Sequence, residues 1–446
     1  MNYKTLKKQD PLIYKSLEKE IKRQIEGLEM IPAENYVSEA VLEAMGSILT
    51  NKYSEGYPNK RYYGGNTFVD EIETLACERA KKLFKAPYAN VQPYSGSPAN
   101  QAVAMAVLNP GDTMMGLNLY DGGHLTHGAK ASFSSHYYKS IAYHVGPEGI
   151  VDFAEVRRLI LEHKPKLIWI GGSAYVRELE FELFAKLADT SGAYLAADIA
   201  HVAGLIVGGV HKTPAPYVHI ITTTTHKTLR GPKGAMILVT NKGLKKDAEL
   251  GHKIDKAVFP GLQGGPHNHI IAGIAVALKE ASSASFQKYT VQIVKNAKVL
   301  AKILKRHGLN LVGGGTENHL ILLNLVKSNG AGSGILVQDA LGVAGITVNK
   351  NTIPGEPFSP FYPSGIRLGS PALTSRGMKE REMEKIAEWL VACAGEVSSS
   401  RLPLEKEERI KFLKEFRKNI EKNNNLKAIE KDVTNLCKKF PVPGIN

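Results

Sequence analysis

The sequence predicts an α/β fold with a largely parallel sheet covered by helices, and two observations carry the prediction. Short apolar runs rich in β-branched or aromatic residues recur at "KLIWIGG" (166–172), "AYLAAD" (193–198), "HIITTTTH" (219–226) and "GAMILVT" (234–240), each ending in glycine or polar residues. Between the first two lies "ELEFELFAKLADTSG", in which Phe181, Phe184 and Leu187 recur at helical spacing and Gly192 supplies a stop. Strand, helix and strand at this spacing are the signature of parallel βαβ units.

The first ~25 residues read as a helical arm rather than core. Residues 26–284 hold the strand-rich pattern, which gives way from about 285 to long Lys-rich helices and Gly-rich turns such as "LVGGGTENHLILLNL". Residues 285–446 therefore form a second, smaller α+β domain in this reading. With 446 residues, 43% hydrophobic and 22% charged, the composition is that of a globular protein. No run approaches the ~18 apolar residues of a membrane span, and the charged start "MNYKTLKKQD" reads as neither signal nor anchor. Three scattered cysteines, Cys77, Cys393 and Cys437, suit a reducing cytoplasm. "HLTH" (124–127) and "HNH" (267–269) lack a convincing further ligand, so no metal is expected. The net charge of +14 comes without a nucleic-acid motif and much of it alternates with Glu in terminal helices, so neither nucleic acid nor membrane is expected as a partner.

Chemistry-bearing groups collect where strands end, the usual ligand position in open α/β sheets. Asp198 ends "AYLAAD", His201 follows it, and His226 and Lys227 end the threonine strand. Upstream, in "PYSGSPANQAVAMAVL", Ser97 reads as a helix N-cap with Pro98 as first helical residue, and Gly96 and Ser97 together make an anion site. A phosphate for the helix start, a ring nitrogen for the carboxylate and an aldehyde for the lysine describe pyridoxal phosphate.

Seven motifs then occur in family order: "LTNKYSEGYPNKRYYGGN", "GGHLTHG", "DIAHVAG", "TTTTHKTLRGP", "VFPGLQGGP", "TVNKN" and "SGIRLGSPALTSRG". Together they resemble serine hydroxymethyltransferase, from about residue 10 to the terminal "CKKFPVP". The resemblance implies the fold type I of pyridoxal-phosphate enzymes, with a mostly parallel seven-stranded sheet. It also implies conversion of L-serine and tetrahydrofolate to glycine and 5,10-methylenetetrahydrofolate. Lys227 would bind the cofactor aldehyde as a Schiff base, Asp198 would pair with the ring nitrogen and His124 would stack on the ring. Ser173 and His201 would meet the phenolic oxygen, and Gly96 and Ser97 the phosphate. In this family two subunits share each site, so Tyr53, Glu55, Tyr63 and Gly265 would come from the neighbour in a homodimer, or in a tetramer of such dimers. Glu55 would move protons, Arg367 would grip the substrate carboxylate, and Leu119, Gly123 and Asn351 would lie against the folate pterin. Two departures stand out: Ala33 where the family commonly has a serine on the substrate carboxylate, and Lys233 where many relatives have arginine. The alternative is a folate-independent threonine or β-hydroxy amino acid aldolase, which would use the same lysine and carboxylate.

Overall fold

A computed structural model describes residues 3–445. It resolves into two compact units, Ala40–Val291 on the one hand and Met1–Glu39 with Gln292–Asn446 on the other.

The Ala40–Val291 unit is built on a seven-stranded sheet. Its strands are β1 (Tyr88–Asn90), β2 (Thr113–Leu117), β3 (Lys139–Tyr143), β4 (Leu167–Ile170), β5 (Tyr194–Asp198), β6 (Ile220–Thr224) and β7 (Ala235–Val239). They lie in the order β1-β7-β6-β5-β4-β2-β3. The pairings from β3 across to β6 are all parallel, and only β7 runs against its neighbours β6 and β1. The four strands read from sequence are β4 to β7, each trimmed at its ends by the turn residues. Between β4 and β5 the helix Phe181–Ser191 buries Phe181 and Phe184 and ends on Gly192 at φ 69°, a left-handed stop that glycine accepts without Cβ strain. Burying a Phe side chain of this kind contributes about 1.5–3 kcal/mol.

β6 and the residue after it account for the run of four threonines. Thr222, Thr223, Thr224 and Thr225 are all buried, so each hydroxyl needs a partner. Thr222 donates to the Asn100 side chain at 2.6 Å, Thr223 to the Thr224 carbonyl at 2.9 Å and Thr225 to the Pro232 carbonyl at 2.7 Å. The Thr224 hydroxyl is left over, buried with no protein partner.

The other unit carries an antiparallel sheet of β8 (Asn310–Leu311), β9 (Leu320–Asn324), β10 (Asn349–Asn351) and β11 (Gly365–Gly369), in the order β8-β9-β11-β10. Its core joins that sheet to the helices Gly334–Val343, Glu380–Glu396, Lys406–Ile420 and Asn424–Cys437 through residues such as Leu336, Leu341, Ile386, Leu413 and Val433. The boundary differs from the one expected at 284/285: it falls at 291/292, inside the helix Ala284–Arg306. Residues 26–39, expected in the large domain, also belong to this C-terminal unit. Leu28 and Glu29 pair in parallel with Ile346 and Thr347, a two-residue ladder too short to leave a periodic trace in sequence. Beside it Arg376, 4% exposed, donates to the carbonyls of Gln24, Ile25 and Gly27 at the end of helix Pro11–Glu26. The same guanidinium also reaches the carbonyls of Cys437 and Phe440, so one cation satisfies the ends of two helices. No helix among the described residues is long and apolar enough to cross a membrane.

Candidate active site

The C-terminal ends of β2, β4, β5 and β6 deliver Leu119, Gly123, His124, Ser173, Asp198, His201, His226 and Lys227. The chain leaving β2 forms a 3₁₀ turn, Leu119–Asp121, then reaches His124 at the head of a second turn, Leu125–His127. Gly123 is required there, because a Cβ would meet the Leu117 carbonyl oxygen at 2.0 Å. Ser173 follows β4, its N–H donating to the Gly122 carbonyl at 2.6 Å. Asp198 ends β5 and His201 follows, buried, its carbonyl taking the Thr228 hydroxyl at 3.0 Å. Lys227 leaves β6 and lies close enough to His124, Asp198 and His226 that its charge lowers the pKa of all three.

Asp198 is the centre of the network. Its Oδ2 accepts from Asn100 Nδ2 at 2.8 Å and His127 Nε2 at 3.1 Å, and its Oδ1 accepts from the Ala200 N–H at 3.1 Å. Burial would raise this carboxyl, but the His127 hydrogen bond and the charges of His127, His124 and Lys227 outweigh it and hold it below the usual carboxylate range. The carboxylate is therefore ionised. The Asn100 amide is locked in the orientation that serves it. Its Oδ1 accepts from Thr222, which leaves Nδ2 for Asp198 and for the Thr126 hydroxyl at 2.8 Å. His124 Nδ1 accepts the Thr126 N–H at 3.3 Å and lies 2.7 Å from the Thr126 hydroxyl, which itself accepts from Asn100. His124 thus carries its proton on Nε2, and burial with the nearby Lys227 and His127 charges brings its pKa down to about 4, against the opposing pull of Asp198. The ring is neutral at pH 7, as suits a flat face offered to an aromatic cofactor.

Sequence reasoning misses two members of this set, Asn100 and His127. His127 lies buried against Trp169, rings 5.0 Å apart and 7° from parallel. The signal is present in the spacing of "HLTH". His124, His127 and Asp198 do bring three ligand-capable atoms within 4.8 Å of one another, but the His127 nitrogen and the Asp198 carboxylate are spent on each other. One expectation needs correction. The helix begins at Gly96 with Ser95 as N-cap, so Ser97 sits in the first turn and is not the cap, with Pro98 third rather than first. The strand-like φ of Ser95, −162°, moves the start two residues upstream. The anion site survives the shift, because Gly96 and Ser97 still present first-turn N–H groups.

The cradle suits pyridoxal phosphate. Gly96 lies so close to β6 that a Cβ would approach the Thr224 methyl to 2.9 Å. Beside it the Thr224 hydroxyl is buried and unsatisfied, and Nδ1 of His226 is likewise buried without a partner. An unsatisfied buried hydroxyl next to free helix N–H groups is what a phosphate would satisfy.

A second gathering forms at the Gly264–Gly265 turn. A Cβ at Gly265 would come within 3.1 Å of the Tyr53 ring, and one at Gly264 within 3.2 Å of Glu55 Oε1. Tyr63 packs edge-on to Tyr53 at 5.3 Å, and the Tyr94 hydroxyl donates to the Gly265 carbonyl at 2.8 Å. Arg367 and Asn351 belong to the other unit. There Asn349 and Arg367 are opposite each other on β10 and β11, and Arg367 Nε donates to Asn349 Oδ1 at 3.0 Å. Burial lowers the Arg367 pKa to about 10, so it remains a cation at neutral pH.

Residues 6–390 match the family model described as serine hydroxymethyltransferase. The chain belongs to the serine hydroxymethyltransferase family. A serine hydroxymethyltransferase of Desulfotalea psychrophila (strain LSv54 / DSM 12343) is 50% identical over 440 residues, covering 99% of this chain and 96% of the relative. Serine hydroxymethyltransferases depend on pyridoxal phosphate and take tetrahydrofolate as co-substrate. The membership favours the folate-coupled reading over the aldolase one.

Proposed function

We infer that this protein catalyses the reversible transfer of the hydroxymethyl carbon of L-serine to tetrahydrofolate, giving glycine and 5,10-methylenetetrahydrofolate. The observation that carries the reading is family membership across nearly the whole chain. The ionised, three-donor Asp198 beside Lys227 agrees with it.

Bound pyridoxal phosphate supplies an electron-poor ring that accepts the electrons of the bond broken at the amino acid's α-carbon. Lys227 would hold the cofactor aldehyde through its side-chain amine. Asp198 would hold a proton on the ring nitrogen, and His127 and Asn100 keep the carboxylate charged and aimed. His124 would cover the ring face, while Ser173 and His201 would serve its phenolic oxygen. Gly96, Ser97, Thr224 and His226 would hold the phosphate. Arg367 binds the substrate carboxylate, for which a planar fork of N–H donors is suited. Glu55 removes and returns the proton of the serine hydroxyl, with Tyr63 beside it, and Leu119, Gly123 and Asn351 line the folate side.

Tyr53, Glu55, Tyr63 and Gly265 act in the neighbouring subunit of a homodimer. Tyr53 and Tyr63 are 56% and 48% exposed, and Tyr62 and Phe68 beside them 76% and 74%, an apolar surface that a second subunit would cover. Free Cys77, Cys393 and Cys437 support a cytoplasmic setting.

The test is an absorption spectrum of the protein with pyridoxal phosphate, recorded alone, with glycine, and with glycine plus tetrahydrofolate. A Schiff-base band converted to a strong long-wavelength band only when folate is present is the expected result. A response to glycine that ignores folate would return the aldolase reading.

Ala33 adds a quantitative expectation. It lies in the Ile31–Glu34 turn, closed by the Glu34 N–H on the Ile31 carbonyl at 2.9 Å. A hydrogen bond to a charged group is worth ~1.5–3 kcal/mol, so Ala33→Ser should tighten serine binding by about tenfold or more. Titrating the cofactor absorbance with serine measures it, and an unchanged affinity would mean that the missing hydroxyl is already replaced.

A further inference from the structure

Glu55 sits in a short connection whose main chain is held from both sides. Arg61 Nη1 donates to the carbonyl of Ser54 at 2.8 Å and to that of Gly56 at 2.7 Å, the residues before and after Glu55. Gln92 Nε2 adds a second donor to the Gly56 carbonyl at 2.9 Å, and the Tyr62 N–H donates to the carbonyl of Glu55 itself at 3.0 Å. Gly56 turns the chain at φ 94°, so tightly that a Cβ would meet the Lys60 carbonyl oxygen at 2.3 Å.

The guanidinium is in turn fixed to the helix Thr67–Phe84. Its Nε donates to Asp70 Oδ1 at 2.8 Å and its Nη2 to Glu73 Oε2 at 2.6 Å. The other Glu73 oxygen accepts from Gln92 at 2.7 Å, and the second Asp70 oxygen accepts the Asn59 N–H at 2.8 Å. The Arg61 and Glu73 side chains are only 4% and 2% exposed. Burying an arginine with two carboxylates carries a desolvation cost that apolar packing of the same volume would avoid. Such a cluster is suited to fixing direction: a planar cation with five N–H groups can tie two carboxylates and two carbonyls at set angles, which a lysine or an apolar side chain cannot.

We propose that Arg61 is a positioning residue for the reaction, holding the backbone on either side of Glu55 so that its carboxyl meets the substrate hydroxyl at the correct angle. The inference rests on the assignment of proton transfer to Glu55. Small displacements of a reacting group cost large rate factors, ~100-fold for about 1 Å. Arg61→Lys keeps the charge and loses the fork.

The experiment is a double-mutant cycle on folate-coupled serine turnover with Arg61→Lys, Glu55→Gln and the double variant, with cofactor absorbance and glycine binding measured on each. Arg61→Lys should lower kcat by ~10- to 100-fold with serine KM and the cofactor band little changed. Glu55→Gln should cost roughly 100-fold, and adding Arg61→Lys to it should cost nothing further, because the group being positioned has gone. Losses that multiply in the double variant, or full turnover in Arg61→Lys, overturn the proposal and leave the Glu55 assignment standing. Full turnover in Glu55→Gln removes the assignment and the proposal together, a distinguishable result. Should Arg61→Lys fail to fold, Glu73→Gln retains Arg61 and weakens its anchor. Its loss must likewise vanish in the Glu55→Gln background, and an independent loss overturns the proposal.

Discussion

Replacing Lys227 with alanine should abolish serine turnover, by more than ~10⁴-fold, while leaving the chain folded. The segment is fastened on both sides of the lysine by groups the substitution does not touch. Upstream, Thr225 donates through its N–H to the Gly234 carbonyl at 3.1 Å and through its hydroxyl to Pro232. Downstream, the Thr228 hydroxyl donates to the His201 carbonyl and accepts the Gly204 N–H, each at 3.0 Å. The loss is therefore chemical rather than structural. Thermal melting should match the parent protein, and the protein-bound Schiff-base band should be missing from the absorption spectrum. Turnover within tenfold of the parent, or an unchanged band, would remove Lys227 from the mechanism.

Asp198→Asn should lower kcat by about 10³-fold, roughly 4 kcal/mol of lost stabilisation. The shape is kept and the charge is lost, but the hydrogen bonds also fail. Both Asp198 oxygens face donors, Ala200 N–H on one side and Asn100 with His127 on the other. An asparagine must turn its own NH₂ toward one of these, so no orientation satisfies the site. Buried donors left facing each other cost about 1–3 kcal/mol in addition. The measurement is kcat for folate-coupled turnover, with the glycine-dependent absorbance band as the second readout. A variant that keeps both within tenfold would show that charge on this carboxylate is dispensable.

What can be read from the sequence follows the range of the interactions involved. Strands β4 to β7 and the helix between the first two announce themselves through local periodicity. Asp198 and Lys227 stand at strand ends, where chemistry is expected. Asn100 is invisible in sequence because its role is made by proximity: it is 98 positions from Asp198 and 122 from Thr222, and in its own helix it is one more polar residue. His127 shows only as half of a poor metal spacing, for its partner is 71 positions away. Ser97 reads as a cap because Ser-Pro is a good local start, whereas the extended Ser95 sets the true one. The arginine in "NKRYYGG" offers no hint that its guanidinium folds back on the carbonyls flanking Glu55.

The buried Arg376 carries a consequence for how the protein is made. Its five carbonyl partners lie at residues 24–27 and at 437–440, which leave the ribosome some four hundred residues apart. At ~5–20 residues per second, the end of the first long helix waits roughly 20–80 s for its counterpart. Until then its carbonyls must be shared with water or with a chaperone. The sheet encoded between residues 88 and 239 thus has every strand available well before that closure.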